Sequence, residues 1–197
     1  MELADIKQLF YLTHVENVGS IIERGILSHS LAQSVPHKRI DMPVVQEKRE
    51  NKSVPGGKML HGYANLYVSA RNPMLYKRKD EHKDICVLRV KIEVLNIPEV
   101  VVTTGNAASS YVSFYPAWRG IERLERSLVF AKSWKDEDEI KAARKRIAKC
   151  AEVLVPDCVP PELIFGAYVS CKETMEELGN RFPNLQVEQN HILFFQQ

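Results

Sequence analysis

Glu152 opens a short apolar run at residues 151–155, directly after a segment that ends in Arg144, Lys145, Arg146 and Lys149. A carboxylate at the start of a strand beside a core can face a cleft, where it is available for chemistry; its plainer alternative is to point to solvent at a strand edge. Arg49 sits inside Gln46-Glu47-Lys48-Arg49-Glu50, a charge run that reads by itself as a solvated face. His14 follows Thr13 at the end of the first strand-like run, where a lone imidazole is either a local hydrogen-bond partner or a ligand. The basic cluster 144–149 either complements a helix dipole or binds phosphate. Upstream of it lie Tyr111, Phe114, Tyr115 and Trp118, followed by Arg119, Arg123 and Arg126. Aromatic rings among cations suit single-stranded nucleic acid, whose bases stack while its phosphates pair. They suit an ordinary half-buried loop equally well.

These residues need elements to position them. Residues 9–12 read as a strand, and 16–24 as a helix capped by Asn17, with Val18, Ile21 and Ile22 on one face and Gly25 as terminator. Residues 28–39 read as a loop, 44–53 as a charged stretch and Pro55-Gly56-Gly57 as a turn. A second strand covers 64–70, with Leu66 and Val68 on one face and Tyr67 and Ser69 on the other. Asn72-Pro73 starts a short helix, asparagine as cap and proline at the first position. Strands follow at 85–94 and 100–103, then a turn at Thr104-Gly105-Asn106. Residues 136–150 give the clearest helix: Ser133 and Asp136 have capping-box-like spacing, acids lead, bases end, and Ile140, Ala143 and Ile147 form the expected inner face. Strands at 151–155, 163–170 and 191–195 close the chain.

No strand is followed by a glycine-rich phosphate loop, which argues against a Rossmann or P-loop site. The 197 residues suit one domain over 1–197, and 45% hydrophobic with 26% charged residues is ordinary globular composition. A net charge of +2 gives no whole-protein case for nucleic acid, so any basic surface must be local. Cys86, Cys150, Cys158 and Cys171 form no C-x-x-C pair, and they read as free thiols in a reducing compartment, not as metal ligands. No apolar run approaches the roughly 18–20 residues that span a bilayer, and the acidic start with Glu2 and Asp5 is unlike a signal peptide. The expected location is cytoplasmic, with no membrane partner and no metal.

Several blocks, taken in order, resemble the DarT family of DNA ADP-ribosyltransferase toxins. They are Phe10-Tyr11-Leu12-Thr13-His14-Val15-Glu16-Asn17 leading into 21–28, then Gln46-Glu47-Lys48-Arg49 with Val54-Pro55-Gly56-Gly57. Leu60-His61-Gly62-Tyr63, the stretch 66–76, Thr104-Gly105-Asn106-Ala107-Ala108 and Ala151-Glu152-Val153-Leu154-Val155-Pro156 complete the series. The resemblance implies an α+β ADP-ribosyltransferase fold: a split, mainly antiparallel sheet that clamps NAD⁺, with surrounding helices. It implies Glu152 as the catalytic glutamate, and Arg49 as the arginine that contacts NAD⁺ and assists removal of the base proton. Thr13, His14, Asn17, Tyr67 and Met74 would then bind NAD⁺. Asn106, Arg144, Arg146 and Lys149 would meet single-stranded DNA, with 129–150 as the substrate-recognition loop and helix. Where some relatives carry Asp-Gly-His-Ala, this chain has Thr104-Gly105-Asn106-Ala107, and asparagine hydrogen-bonds a base but does not titrate near neutrality.

The implied activity is NAD⁺-dependent transfer of ADP-ribose to a base of single-stranded DNA, thymine favoured over guanine. The enzyme would be the toxin of a pair whose macrodomain antitoxin removes the modification. Three other readings stay open on the residues alone. They are an NAD⁺-dependent RNA-modifying enzyme (an RNA ADP-ribosyltransferase or a 2′-phosphotransferase), a protein-modifying transferase, and a catalytically silent nucleic-acid-binding relative.

Overall fold

The computed structural model describes residues 1–196; the last position of the domain expected over 1–197 lies outside the described residues. Along the chain run β1 (Leu9–His14), α1 (Val18–Arg24), β2 (Ile26–Leu27), α2 (His29–Ala32), α3 (Pro43–Glu50) and β3 (Tyr63–Tyr67). Next come α4 (Pro73–Tyr76), β4 (Ile85–Val90), β5 (Val101–Thr103), β6 (Phe114–Pro116), α5 (Ala117–Glu122), α6 (Arg126–Val129) and α7 (Glu139–Ala148). The chain ends with β7 (Glu152–Pro156), β8 (Cys158–Val159), β9 (Ile164–Val169), α8 (Lys172–Arg181) and β10 (Gln186–Gln189).

Eight strands join in the order β10-β9-β4-β1-β3-β7-β5-β6, and β2 pairs separately with β8. Only β10 and β9 run parallel; the other neighbours are antiparallel. The long sheet almost divides in its middle. β1 stays beside β4 from Leu9↔Val90 to His14↔Ile85, but meets β3 only at Phe10↔Tyr67. Beyond that one pair the two halves diverge and open a cleft, which is the split expected of the fold.

Strand periodicity explains how both faces are used. Ala64, Leu66 and Val68 enter the main core together with Cys86, Leu88 and Val90. Their alternates Tyr67, Ile85 and Val87 pack in a second cluster closed by Phe194. Gly25 ends α1 with φ +85°, and a Cβ there would lie 2.3 Å from the Val159 carbonyl oxygen, so glycine is required by both conformation and space. Asn72 caps α4 as read from the sequence, its Oδ1 accepting from the Met74 and Leu75 amides at 2.9 and 3.0 Å.

Several expectations need correction, among them the loop over 28–39, which contains α2, and the strand over 85–94, which ends at Val90. α7 is shorter than 136–150 and is capped by Asp138, whose Oδ1 accepts from the Ile140 and Lys141 amides. Its expected inner face is mostly outward, with Ile140 73% exposed, Ala143 exposed and only Ile147 reaching the neighbouring turn at Gly105; Ala142, Lys145 and Ala148 are the half-buried positions. Three scattered apolar residues do not outweigh a lysine stem anchored by its Nζ to Asp136 at 2.7 Å. Residues 191–195 form successive turns, not a strand, and β10 at Gln186–Gln189 takes the sheet edge. Before it runs α8, an element not predicted from the sequence, supported by Lys172–Glu176 and Glu177–Arg181 pairs at helical spacing. No helix among the described residues is long and apolar enough to cross a membrane. Likewise no group of three His, Cys, Asp or Glu side chains among them is placed to hold a metal ion.

Candidate active site

Where the sheet halves part, they enclose a cleft of about 1090 Å³ counted to its open mouth. Tyr11 and Thr13 of β1 line one wall. Tyr63, Asn65 and Tyr67, the alternate residues of β3, line the other. α3 and the Met42 that precedes it cover the space, with Met42, Val45, Gln46 and Arg49 in the lining. These four recur at i, i+3, i+4 and i+7, so one helical stripe enters the cleft while Glu47, Lys48 and Glu50 remain in solvent. Arg49 is therefore not part of a solvated charge run; it is 5% exposed.

Its partner is Glu152. Arg49 Nη1 donates to Glu152 Oε2 at 3.0 Å and to Oε1 at 3.4 Å. Glu152 opens β7 opposite Tyr67 and is completely buried, so the strand-edge alternative in solvent is excluded. Burial pushes its carboxyl above the ordinary value, while the Arg49 charge, the Arg49 hydrogen bond and the Ala107 backbone pull it back. The Tyr67 hydroxyl is held well above its usual range by burial first and the neighbouring Glu152 charge second. Arg49 lines the cleft, whereas Glu152 is not among its lining residues and lies behind the arginine; among the described residues no buried side-chain nitrogen or oxygen lacks a hydrogen-bond partner.

The turn after β5 brings in Asn106, which lines the cleft. Its Oδ1 accepts from the Ala108 amide at 2.9 Å, committing the amide oxygen to its own turn. Asn17 was expected to cap α1 and instead ties down the segment over the cleft. Its Nδ2 donates to Thr13 Oγ1 at 3.1 Å and to the Lys38 carbonyl at 2.8 Å, and its Oδ1 accepts from the Lys38 amide at 2.8 Å. Met74 lines the same space from α4.

His14 is not among the cleft-lining residues. Its Nδ1 accepts from the Glu16 amide at 3.2 Å and caps the helical turn at Val15–Asn17, the local role open to it in the sequence. Neighbouring strand residues point to opposite faces, and here Thr13 takes the cleft.

Other lining groups carried no local signal. Arg78 reaches the cleft and donates to the Asp41 carbonyl at 3.1 Å. His29 stacks on His61 with centroids 4.1 Å apart, and His61 Nε2 pairs with Gln46 Oε1 at 3.1 Å. Asn65 was readable, because it alternates with Tyr63 and Tyr67. Lys38, Arg39, Arg49 and Arg78 line the cleft with Asp41, and Arg39, Arg49 and Arg78 are paired with Asp41, Glu152 and Glu81 at 2.6, 3.0 and 3.1 Å.

The expected DNA residues divide. Arg146 is exposed, and Arg144 is exposed with Glu125 3.8 Å away. Lys149 needs correction: it is 2% exposed, and its ammonium donates to the Ala131 and Val129 carbonyls at 2.8 and 3.3 Å. The last turn of α7 rotates it inward, so it holds the protein's own chain and is unavailable to phosphate. Tyr111 is 89% exposed, and Arg123 lies 5.8 Å from the Tyr115 ring.

Residues 10–195 match the family model described as ssDNA thymidine ADP-ribosyltransferase, DarT. A DNA ADP-ribosyl transferase–DNA ADP-ribosyl glycohydrolase fusion protein of Thermosipho africanus is 35% identical over 92% of this chain, which spans 47% of that relative. The Thermosipho africanus DarTG structure, solved with ADP-ribose, superposes with a TM-score of 0.85 at 33% identity over 96% of this chain and 51% of that one. The chain thus spans about half the length of these two relatives. Thermus sp. 2.9 DarT, solved with ADP-ribosylated ssDNA, superposes with a TM-score of 0.83 at 25% identity over 98% of both chains. A family match over nearly the whole sequence and the structural superposition agree: the chain belongs to the DarT family of ssDNA thymidine ADP-ribosyltransferases.

Proposed function

We propose that this chain transfers ADP-ribose from NAD⁺ to a thymine ring nitrogen in single-stranded DNA. The observation that carries the reading is the buried Arg49–Glu152 pair, whose arginine lines the cleft and holds the fully buried glutamate behind it. In the reaction the bond between ribose C1′ and the nicotinamide nitrogen breaks, and its electron pair leaves on neutral nicotinamide. A lone pair of the thymine imide forms the new C1′–N bond, and the imide proton departs. Positive charge builds on the ribose only as the first bond breaks. A carboxylate at Glu152, held to the ribose 2′-hydroxyl, therefore stabilises the transition state more than bound NAD⁺.

Arg49 almost never loses its proton, so it is a poor general base. It holds the carboxylate in place and offers its other donors to the pyrophosphate or to the developing imide anion. Thr13, Asn17, Tyr67 and Met74 hold the NAD⁺ end and Asn106 meets the base. Arg144 and Arg146 attract the strand. Unpaired DNA is the cheaper substrate, because a duplex pairs and stacks the reacting nitrogen. The reaction needs no metal.

In this reading residues 1–197 form one domain that acts in the cytoplasm as the toxin of a toxin–antitoxin pair. The fusion of transferase and glycohydrolase in the Thermosipho africanus relative supports a macrodomain partner that removes the mark.

The test is intact mass after incubating the purified chain with NAD⁺ and single-stranded oligonucleotides of differing base content, DNA beside RNA. One ADP-ribose added to thymine-containing DNA is the expected result. Addition to RNA alone, or to none, overturns the reading.

A further inference from the structure

Thr103 ends β5 and stands opposite Glu152, one step beyond the Val102↔Val153 pair. It is fully buried. The Glu152 amide donates to Thr103 Oγ1 at 3.1 Å, and the hydroxyl donates to the Gly105 carbonyl at 2.6 Å, with the Glu152 carbonyl 3.4 Å away. A regular antiparallel ladder satisfies such an amide with a backbone carbonyl. Here the chain turns away after Thr103, and a side-chain hydroxyl takes the carbonyl's place. One oxygen thus links the first residue of β7 to the turn at 104–107.

That turn is fixed from its far side as well. A Cβ on Gly105 would lie 2.7 Å from Ile147 Cγ2 and 3.1 Å from the Ile147 carbonyl oxygen, so the end of α7 packs directly against it. Asn106 follows in the cleft, and the backbone of Ala107 faces the Glu152 carboxylate. Thr103 therefore ties the backbone of Glu152 to the same turn whose Ala107 backbone faces the Glu152 carboxylate.

We propose that Thr103 is a positioning residue that sets the Glu152 carboxylate relative to the 104–107 turn, so that ADP-ribose passes to the base and not to water. The inference rests on the transferase reading above. Both outcomes break the C1′–nicotinamide bond and release nicotinamide. Capture by the base forms a C1′–N bond and gives up the imide proton. Capture by water forms a C1′–O bond, gives up one water proton and yields free ADP-ribose. The partition between them depends on how closely the base is held to C1′, and a misplacement of about 1 Å costs on the order of 100-fold in rate.

Thr103→Val, Thr103→Ala and Thr103→Ser test this, with kcat and KM for NAD⁺ measured beside the share of consumed NAD⁺ that appears as free ADP-ribose. Thr103→Ser should stay within about twofold of the unaltered protein. Thr103→Val should lose roughly 10- to 100-fold in kcat for transfer to DNA with KM little changed, and should divert a larger share to free ADP-ribose. If valine prevents folding, Thr103→Ala carries the same comparison. Unchanged kcat and unchanged partition in the variants, whatever their melting temperatures, overturn the inference alone. An unaltered protein that consumes NAD⁺ and labels no DNA overturns the transferase reading, and this inference with it.

Discussion

The cleft and the end of α7 both carry arginines, yet they are built in opposite ways. Arg49 is 5% exposed and bound to a carboxylate that is completely buried, while the Arg144 side chain is 66% exposed with its acid 3.8 Å away. The first arrangement takes two charges out of water and is costly unless every partner is in place. The second costs almost nothing and is screened by salt. The contrast separates the two tasks: chemistry on NAD⁺ needs a fixed, desolvated pair, whereas attraction of a mobile strand needs only exposed charge. Lys149 lies within a few residues of Arg146 and is buried like Arg49, but its partners are backbone carbonyls and not a carboxylate.

The strongest way to break the contrast is Arg49→Met. It leaves the Glu152 charge buried without a cation, and the expected loss is about 3–5 kcal/mol in urea unfolding together with transferase activity. A loss below about 1 kcal/mol would mean that the pair behaves like a surface salt bridge.

Next in size is Lys149→Ala. It strands the buried Val129 carbonyl and the half-buried Ala131 carbonyl, so it should cost about 1–3 kcal/mol of stability and leave the salt dependence of DNA binding unchanged. A weaker salt dependence with normal stability would return Lys149 to the DNA face.

A smaller effect comes from acid. His29 has its pKa lowered by burial and then by His61, and His61 by burial and then by Arg49. The folded protein therefore resists a protonation that the unfolded chain accepts near the ordinary histidine value of about 6.5. The stability contribution is complete above that pH and declines as pH falls below it. Melting temperature should drop more steeply from pH 7 to 5.5 in the unaltered protein than in His61→Asn; parallel curves would remove the stacked pair from the acid response.

Arg146→Ala should have the smallest effect. Stability stays within about 0.5 kcal/mol, and the slope of log affinity for single-stranded DNA against log salt falls by roughly 0.7. An unchanged slope would show that this arginine does not meet phosphate.

Legibility followed the range of the interactions. Gly25, the Asn72-Pro73 helix start and the two faces of β3 were readable because each depends on neighbours in sequence. Arg49 looked solvated from its adjacent charges, although the 42–45–46–49 spacing already marked an inward stripe on a helix. Lys149 was misread because its carbonyl partners lie 18 and 20 residues away. The cleft itself comes from β1 and β3 touching at a single pair, a tertiary fact with no local signature. The chemistry of Glu152 became legible through family resemblance, and its burial through the structure. Thr103 had no signal at all, because its role depends on a strand that begins 49 residues later.

The central claim is that the buried Glu152 carboxylate drives departure of nicotinamide, and Glu152→Gln tests it most directly because the amide keeps an acceptor for Arg49. Nicotinamide release and ADP-ribosyl-DNA formation would be followed in a single turnover with a thymine-containing oligonucleotide, alongside NAD⁺ affinity. The expected result is bond breaking slowed by about 1,000-fold or more, with NAD⁺ binding changed only a few-fold. Transfer at the unaltered rate by Glu152→Gln would contradict the claim and place the chemistry elsewhere in the cleft.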